Sequence, residues 1–305
     1  MLNSLSNNTI KQYNCSFKLW WKFCGTYSIE PYEGSVPYIL KFLSECFHKG
    51  MSYGSLNSTR SALSILMGSK ITSDDRLKRF FKGVFRLKPP NPKYNVTWDP
   101  GRVLDYLASK YPNESVSLVD LTKKLVTILA LTSAHRVQTL SLIKIKNIIF
   151  LADGVQIKVP DIIKTSSKSS LQPCLHLKSY SSKLEICPVH TLKSYLIVTK
   201  NIRKETDNLI ITYKKPYHSA SSQSISRWIK MTLNESGIDT SVFTAHSTRH
   251  ASTSAASRAG LSIDLIRKTA GWSGTSSTFA RFYNRPVTED PLTFSDVVCN
   301  TSKRH

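Results

Sequence analysis

Apolar residues in the first part of the chain recur every three or four positions, which is the period of one helix face. This pattern predicts helices over residues 6–26, 35–49, 54–68 and 73–86. Ser35 precedes Val36-Pro37, and a serine followed by an early proline is typical of a helix start. The sequence therefore predicts an all-helical domain over residues 1–88.

A proline-rich segment interrupts this periodicity at Pro89, Pro90 and Pro92. Proline lacks an amide hydrogen and disfavours helix, so the segment should be extended. We therefore predict a linker over residues 89–97, with a second domain after it.

The second domain has a mixed pattern. Helical spacing returns at residues 99–110 and 118–133, and again at 188–199, 221–236, 247–259 and 262–271. Between these two groups, β-branched residues alternate with polar ones in residues 144–150, 154–163 and 171–178. The pattern predicts a domain over residues 98–285 that is mainly α with a small antiparallel β-sheet.

The charge of the chain indicates its partner. Lys and Arg number 42 against 20 Asp and Glu, which gives a formal net charge of +22. Residues 1–95 hold 14 basic and 5 acidic side chains, and residues 96–305 hold 28 and 15. Because both parts are basic, we expect a protein that contacts a nucleic-acid duplex along its length.

Other features narrow the class of protein. The first residues do not form a secretory signal, and no apolar run approaches the roughly 20 residues of a membrane helix, so we expect an intracellular protein with reduced cysteines. Zinc-type ligands occur at Cys174, His176, Cys187 and His190, but their spacing matches no common zinc finger. We expect neither a metal site nor a cofactor.

The sequence also contains groups for phosphodiester chemistry. The sequence shows no obvious carboxylate cluster for two metals, and Asp74-Asp75 is typical of a helix start, which disfavours a two-metal nuclease. His246 and Arg249 are three residues apart at the start of a predicted helix, so they share one face near amide donors that suit an anion. Tyr283 follows Trp272 by 11 residues and is a candidate nucleophile.

Four sequence pieces together resemble the tyrosine recombinases, and more narrowly those of eukaryotic Crypton-type mobile elements. They are Thr132-Ser-Ala-His-Arg136-Val-Gln, His246-x-x-Arg249-His250, Gly271-Trp272 and Phe282-Tyr283. The resemblance covers the second domain closely and the first in outline. It implies a C-shaped clamp of two domains around DNA, with residues 1–88 as the core-binding domain and 98–285 as the catalytic domain.

The resemblance also implies roles for the site residues. Arg136 and Arg249 would hold the scissile phosphate, Tyr283 would attack it, and His246 would act as base. Trp272 stands where members of the family carry His or Trp. Planar guanidinium groups bind phosphate with two hydrogen bonds and stay charged, which agrees with the first assignment.

The family's general acid is a lysine on a β-hairpin, and here Lys164 and Lys168 are both candidates. We favour Lys164 because it ends the alternating run Val159 to Ile163, so the sheet would hold it. An indole cannot shuttle a proton, so Trp272 leaves this work to a lysine.

The implied activity is DNA cutting and rejoining through a 3′-phosphotyrosyl link, without metal or ATP. Alternatives are a type IB topoisomerase-like enzyme and a domesticated, non-catalytic DNA-binding protein. The implied working unit is a homotetramer on two DNA duplexes in the nucleus, with residues 286–305 as a tail exchanged between protomers. Further candidate DNA contacts are Arg60, Lys168 and Arg227.

Overall fold

The chain divides into two compact units, Met1–Pro92 and Lys93–His305. The structure is a computed structural model that describes residues 5–68, 70–90, 94–164, 166, 172–272 and 283–287. The predicted linker over 89–97 lies partly outside these residues, and the predicted tail over 286–305 lies almost wholly outside them. The domain bounds and the roles assigned to the two domains stay predictions.

The first unit is helical. Its helices are α1 (Asn7–Tyr27), α2 (Val36–His48), α3 (Tyr53–Met67), α4 (Lys70–Ser73) and α5 (Asp75–Leu87). The four helices predicted from apolar periodicity are confirmed to within two residues at each end. The short helix α4 was not predicted, because one turn of helix leaves no periodic signal.

An aromatic cluster lies at the centre of this unit. The Trp20 ring stacks on Phe23 with centroids 5.6 Å apart and meets the edge of Phe42 at 5.2 Å. Leu56 and Leu77 are buried in the same cluster. Asp74 accepts hydrogen bonds from the backbone of the first turn of α5, which confirms its interpretation as a helix start.

The second unit combines seven helices with one small sheet in its described part. The helices are α6 (Pro100–Ala108), α7 (Leu118–Ser133), α8 (Val137–Ser141), α9 (Pro188–Thr199), α10 (Ser222–Glu235), α11 (Ser247–Arg258) and α12 (Ile263–Thr269). The strands are β1 (Ile148–Phe150), β2 (Gly154–Lys158) and β3 (Cys174–Lys178). They are antiparallel in the order β1-β2-β3, so the predicted fold class of mainly α with a small antiparallel sheet is confirmed.

All three strands are shorter than the alternating pattern predicted, and β3 begins only at Cys174. Ile145–Asn147 form a 3-10 turn before β1, and β2 ends at Lys158. Pro160 lies just beyond that end and has no amide hydrogen to continue the ladder. The prediction that the sheet holds Lys164 is therefore wrong: Lys164 lies in a turn, six residues past the strand.

Helix α7 forms the centre of the second unit. Twelve of its 16 residues are buried, and it contacts α9, α10, α11 and β3. A helix that buries side chains on every face must be surrounded by other elements. Because α7 is enclosed, its carboxyl end provides a fixed base for the residues that follow, which include Arg136.

None of the helices in the described part of the chain has both the length and the apolarity to cross a bilayer. The same residues contain no group of three or more His, Cys, Asp and Glu side chains placed to hold a metal. The Cys187 sulfur instead accepts hydrogen bonds from the backbone N–H groups of Tyr180 and His190, at 3.3 and 3.5 Å.

Candidate active site

Tyr283 lies at the centre of a buried cluster in the second unit. Its side chain is only 7% exposed, and its hydroxyl oxygen lies 2.9 Å from Nε2 of His246. The Trp272 ring packs against it with centroids 4.7 Å apart. The sequence placed these residues up to 37 positions apart, and the fold brings them into one cluster.

His246 occupies the N-cap position of α11, so the start of the helix fixes its ring. Burial lowers the pKa of His246 below 6.5, and the positive charges of Arg249, Arg136 and Lys164 lower it further. The imidazole is therefore neutral near pH 7. Neutral imidazole can accept a proton at Nε2, which is what a hydroxyl nucleophile requires.

Arg249 lies one turn into α11 and is 1% exposed. Its Nη1 donates to the carbonyl of Ala134 at 2.6 Å, and its guanidinium lies 4.2 Å from the centroid of the Trp272 ring. Among the described residues, Nε and Nη2 have no hydrogen-bond partner. Buried donors without partners are costly, so this guanidinium is prepared for an anionic ligand.

The environment of Arg249 explains its altered acidity. Burial and the charge of Arg136 lower the pKa of Arg249 to about 10, while the Tyr283 hydroxyl acts in the opposite direction. The group remains a cation at neutral pH. The negative charge of a bound phosphate would compensate this buried positive charge and offset its repulsion by Arg136.

Arg136 reaches the cluster from the end of α7. Ala134 adopts a left-handed conformation with φ 52°, which turns the chain, and Arg136 then begins α8 as its N-cap residue. Its charge lowers the pKa values of Arg249, His246 and His135, so it lies within electrostatic range of all three. The two arginines therefore share one region of positive potential.

Trp272 is placed by the end of α12. Gly271 has φ +65°, and the N–H of Trp272 bonds the carbonyl of Arg267 at 2.9 Å, which closes the helix as a Schellman motif. A Cβ on Gly271 would lie 3.0 Å from Cε1 of His135. The backbone conformation therefore favours glycine here, and any larger residue would also have to displace the His135 ring.

The region that contains these site residues matches a known protein family. Residues 108–289, more than half of the chain, match the phage integrase family. The chain belongs to the phage integrase family. Its members are the tyrosine recombinases, so the family implied by the sequence resemblance is confirmed, while the narrower likeness to Crypton-type elements stays a prediction.

Solved structures of phage integrase relatives share the fold. The Tn1549 transposon integrase with transposon right end DNA has a TM-score of 0.57 at 15% identity, covering 88% of this chain and 85% of that one. A post-cleavage complex of the XerH site-specific recombinase on palindromic difH substrate gives 0.57 at 14%, covering 88% and 73%. A lambda integrase tetramer on a Holliday junction gives 0.53 at 14%, covering 94% and 74%. No curated protein sequence matches the chain significantly.

The segment after Tyr283 is fixed by hydrogen bonds within the integrase domain. The Ser254 hydroxyl donates to the Tyr283 carbonyl and accepts from the N–H of Arg285. The N–H of Thr97 donates to the carbonyl of Pro286 at 2.8 Å. The backbone on the carboxyl side of the tyrosine is therefore held at two points. Residues 273–282, which precede the tyrosine, lie outside the part of the chain that the structure describes.

Sequence reasoning gave no role to His250 or His135. The His250 ring stacks on the Tyr283 ring with centroids 4.1 Å apart and planes 18° from parallel. Burial and the two arginines lower the pKa of His135 to about 4. The spacing of four residues between His246 and His250 was a signal that both rings lie on one helix face.

The remaining predicted residues lie in varied settings. Lys164 is exposed, and its charge reaches His246, while Lys168 lies outside the described residues. Arg60, in the first unit, is half-buried: its Nη2 donates to Asn57 at 2.7 Å and its guanidinium lies over Phe81. Arg227 is exposed on α10. The structure thus gathers Arg136, His246, Arg249, Trp272 and Tyr283, and it leaves the lysine assignment as a prediction.

Proposed function

We propose that the protein is a tyrosine-type site-specific DNA recombinase that acts through a 3′-phosphotyrosyl intermediate. The observation that supports this best is the contact between Nε2 of His246 and the Tyr283 hydroxyl at 2.9 Å, beside the open guanidinium donors of Arg249. A nucleophile, a neutral base and a phosphate-binding cation are thus within one buried cluster.

The reaction follows from these groups. Arg136 and Arg249 would neutralise the non-bridging oxygens of the scissile phosphate as charge develops. The Tyr283 oxygen would attack phosphorus while its proton passes to His246, and the bond to the 5′ oxygen would break. Lys164 is the proposed donor of the proton that this oxygen takes up. Because the phosphotyrosine bond conserves the bond energy, a 5′ hydroxyl of another strand can reverse the step without ATP.

The proposed partner is duplex DNA, with a homotetramer on two duplexes as the working unit. The formal net charge of +22 supports a DNA partner. The relatives' structures, one of them a lambda integrase tetramer on a Holliday junction, support assembly on DNA. A two-domain clamp, a Crypton-type element as source and the nucleus as location belong to the same proposal.

One helix of the first unit offers a phosphate-binding face. Helix α5 buries Leu77, Phe81 and Val84, and it exposes Arg79, Lys82 and Arg86 in one stripe at helical spacing. No carboxylate of the described residues pairs with these three cations, whereas Arg76 and Lys78 pair with the adjacent aspartates. Replacing the stripe by Gln should reduce the slope of log affinity against log salt by about 3.

The test of the proposed activity is covalent capture. The protein is incubated in EDTA with nicked duplexes made from the genomic sequences that flank its reading frame. We expect an adduct that resists denaturation, carries DNA at Tyr283 and is absent in Tyr283→Phe. Absence of the adduct with every duplex, or its persistence in the variant, would overturn the proposal.

Two further measurements separate the alternatives. Relaxation of supercoiled plasmid at a low ratio of protein to DNA, without strand exchange between duplexes, would indicate a topoisomerase-like enzyme. Specific binding with no adduct on any duplex would indicate a DNA-binding protein without turnover. Joining of the cut strand to a second duplex is the outcome that the recombinase proposal requires.

A further inference from the structure

The Tyr283 ring is enclosed by side chains that the reaction itself does not use. We propose that His250 and Tyr94 are positioning residues that seat this ring for attack, with Arg285 fastening Tyr94 in place. The inference rests on the proposed recombinase function, since it assigns how the nucleophile is held. It also makes a structural claim that is measurable without DNA.

His250 forms a flat surface, here called the platform, on which the Tyr283 ring stacks. Its ring lies face to face with Tyr283, with centroids 4.1 Å apart and an interplanar angle of 18°. The Tyr283 O–H bond and lone pairs lie near the plane of the phenol ring, so a ring stacked on its face is poorly placed for proton transfer. His246, whose Nε2 lies 2.9 Å from the hydroxyl, is correctly placed for it. In this proposal His250 therefore holds the tyrosine ring, and His246 accepts the proton.

Tyr94 is a second ring in contact with His250. Its ring meets the His250 ring nearly at a right angle, 77°, with centroids 5.5 Å apart, and it also packs on Phe243 at 4.9 Å. Such edge contacts between rings are favourable and orient both partners. The order of contacts is thus Phe243, Tyr94, His250 and Tyr283.

Arg285 connects this support back to the tyrosine. Its guanidinium donates to the Tyr94 carbonyl and lies 5.3 Å from the centroid of the Tyr94 ring. Its own N–H bonds the Ser254 hydroxyl at 3.0 Å, and its carbonyl accepts from Arg258 at 3.2 Å. Arg285 stands two residues after Tyr283, so the backbone of the nucleophile and the Tyr94 support form one closed set of contacts.

Precise placement matters because an error of about 1 Å in a reacting group can reduce a rate by roughly 100-fold. A tyrosine ring can turn about its two side-chain bonds, and the hydroxyl lies at the far end of both. Stacking on His250 with Trp272 packed alongside removes this freedom before DNA binds. Loss of the platform should therefore lower the cleavage rate and leave DNA affinity nearly unchanged.

The structural claim is tested first, in the full chain without DNA. Carbon-labelled tyrosine rings are observed by NMR, and the Tyr283 signal is assigned from its loss in Tyr283→Phe. Stacking should shift its ring protons upfield; the shift should shrink in His250→Ala and remain in His250→Phe, which keeps an aromatic face. An unshifted Tyr283, or a shift indifferent to His250→Ala, would overturn the inference whether or not the protein cuts DNA.

The functional claim is then tested in single-turnover adduct formation at saturating nicked duplex. His250→Ala and Tyr94→Ala should each lower the rate by about 10- to 100-fold, with apparent Kd changed by less than about 2-fold. His250→Phe and Tyr94→Phe should recover most of the loss, and the shape of the pH profile should stay that of the unmodified chain. Tyr180→Ala and His176→Ala, at exposed positions, serve as matched controls.

The outcomes are distinguishable. Equal loss in His250→Ala and His250→Phe would show that the imidazole works as a proton carrier or ligand, against the inference. An altered Tyr283 signal with an unchanged cleavage rate would also overturn it. Failure of the unmodified chain to form any adduct would instead count against the proposed function.

Discussion

Nε2 of His246 and the hydroxyl of Tyr283 are 2.9 Å apart in the chain without DNA. The base and the nucleophile are thus assembled before any substrate binds. Burial and, after it, neighbouring cations lower the pKa of His246, which keeps its acceptor nitrogen free of a proton at neutral pH. The same cations attract the phosphate, so one set of charges serves both purposes.

The first prediction concerns pH. Because the pKa of His246 in the folded protein lies below 6.5, the neutral form should persist as the pH falls to that value. Adduct formation at subsaturating DNA, which reports the free enzyme, should therefore stay constant from pH 8 to about 6.5 and decline only below it. His246→Gln should lower the rate by about 100-fold or more and abolish this decline. A decline that begins clearly above pH 6.5 would contradict the assignment.

The second prediction separates stability from activity at Arg249. This charge is buried, repelled by Arg136 and only partly hydrogen-bonded, so Arg249→Met should raise the free energy of unfolding by about 1–3 kcal/mol. The same change should abolish adduct formation. Urea unfolding measures the first effect, and Arg227→Met on exposed α10 is the control, expected within about 0.5 kcal/mol of the parent. A clear loss of stability in Arg249→Met would show that the contacts of the guanidinium with Ala134, Tyr283 and Trp272 outweigh the burial of its charge.

The third prediction is a loss of stability in acid that depends on His135. Its pKa is about 4 in the folded protein and 6.5 in the unfolded reference, so the unfolded chain binds more protons between these values. The contribution of His135 to the free energy of unfolding is complete above pH 6.5. It is lost as the pH drops towards 4, which lowers stability by roughly 3 kcal/mol. Unfolding midpoints from pH 7.5 to 4.5 should show this slope, and His135→Phe should reduce it. The exposed His176→Gln should leave the slope unchanged; an equal effect of both variants would reject the role of His135.

The sequence predicted the longer helices well because their apolar residues recur at helical spacing over several turns, as in α1 and α7. Helices α4 and α8 have only four and five residues, so they leave no such signal. It also placed His246 and Arg249 on one helix face, since that depends on spacing alone. The sheet was harder: Val159 and Ile163 alternate like strand residues, but Pro160 between them ends the ladder. For that reason the sequence wrongly placed Lys164 at the end of a strand.

Contacts between distant positions could not be read from the pattern. Arg249 bonds the Ala134 carbonyl across 115 positions, and Arg285 bonds the Tyr94 carbonyl across 191. Such pairs depend on how α7, α11 and the segment before α6 pack, and periodicity gives no information about packing between elements. The stacking of His250 on Tyr283 is of the same kind, although its helical spacing from His246 gave a partial signal.

The fourth prediction compares two glycines with the same backbone conformation. Gly260 and Gly271 have φ +84° and +65°, but only at Gly271 would a Cβ meet a neighbour, Cε1 of His135 at 3.0 Å. Gly260→Ala should lower stability by about 1 kcal/mol through backbone strain alone. Gly271→Ala should lower it further and also slow adduct formation, because Trp272 follows directly. Equal effects of the two changes on both stability and cleavage would contradict this reading of the site.

The last prediction concerns which lysine, Lys164 or Lys168, donates the proton to the leaving oxygen. Lys164 is exposed, yet its charge reaches His246, so we expect its amine to protonate the leaving oxygen when DNA is bound. Lys164→Ala should lower cleavage by about 100-fold or more on an ordinary duplex. A substrate with sulfur in place of the bridging 5′ oxygen should restore the rate, since a thiolate leaves without a proton. Lys168→Ala is the matched comparison. Rescue by sulfur in Lys168→Ala and not in Lys164→Ala would transfer the role to Lys168, whereas rescue in neither would place the donor outside this pair.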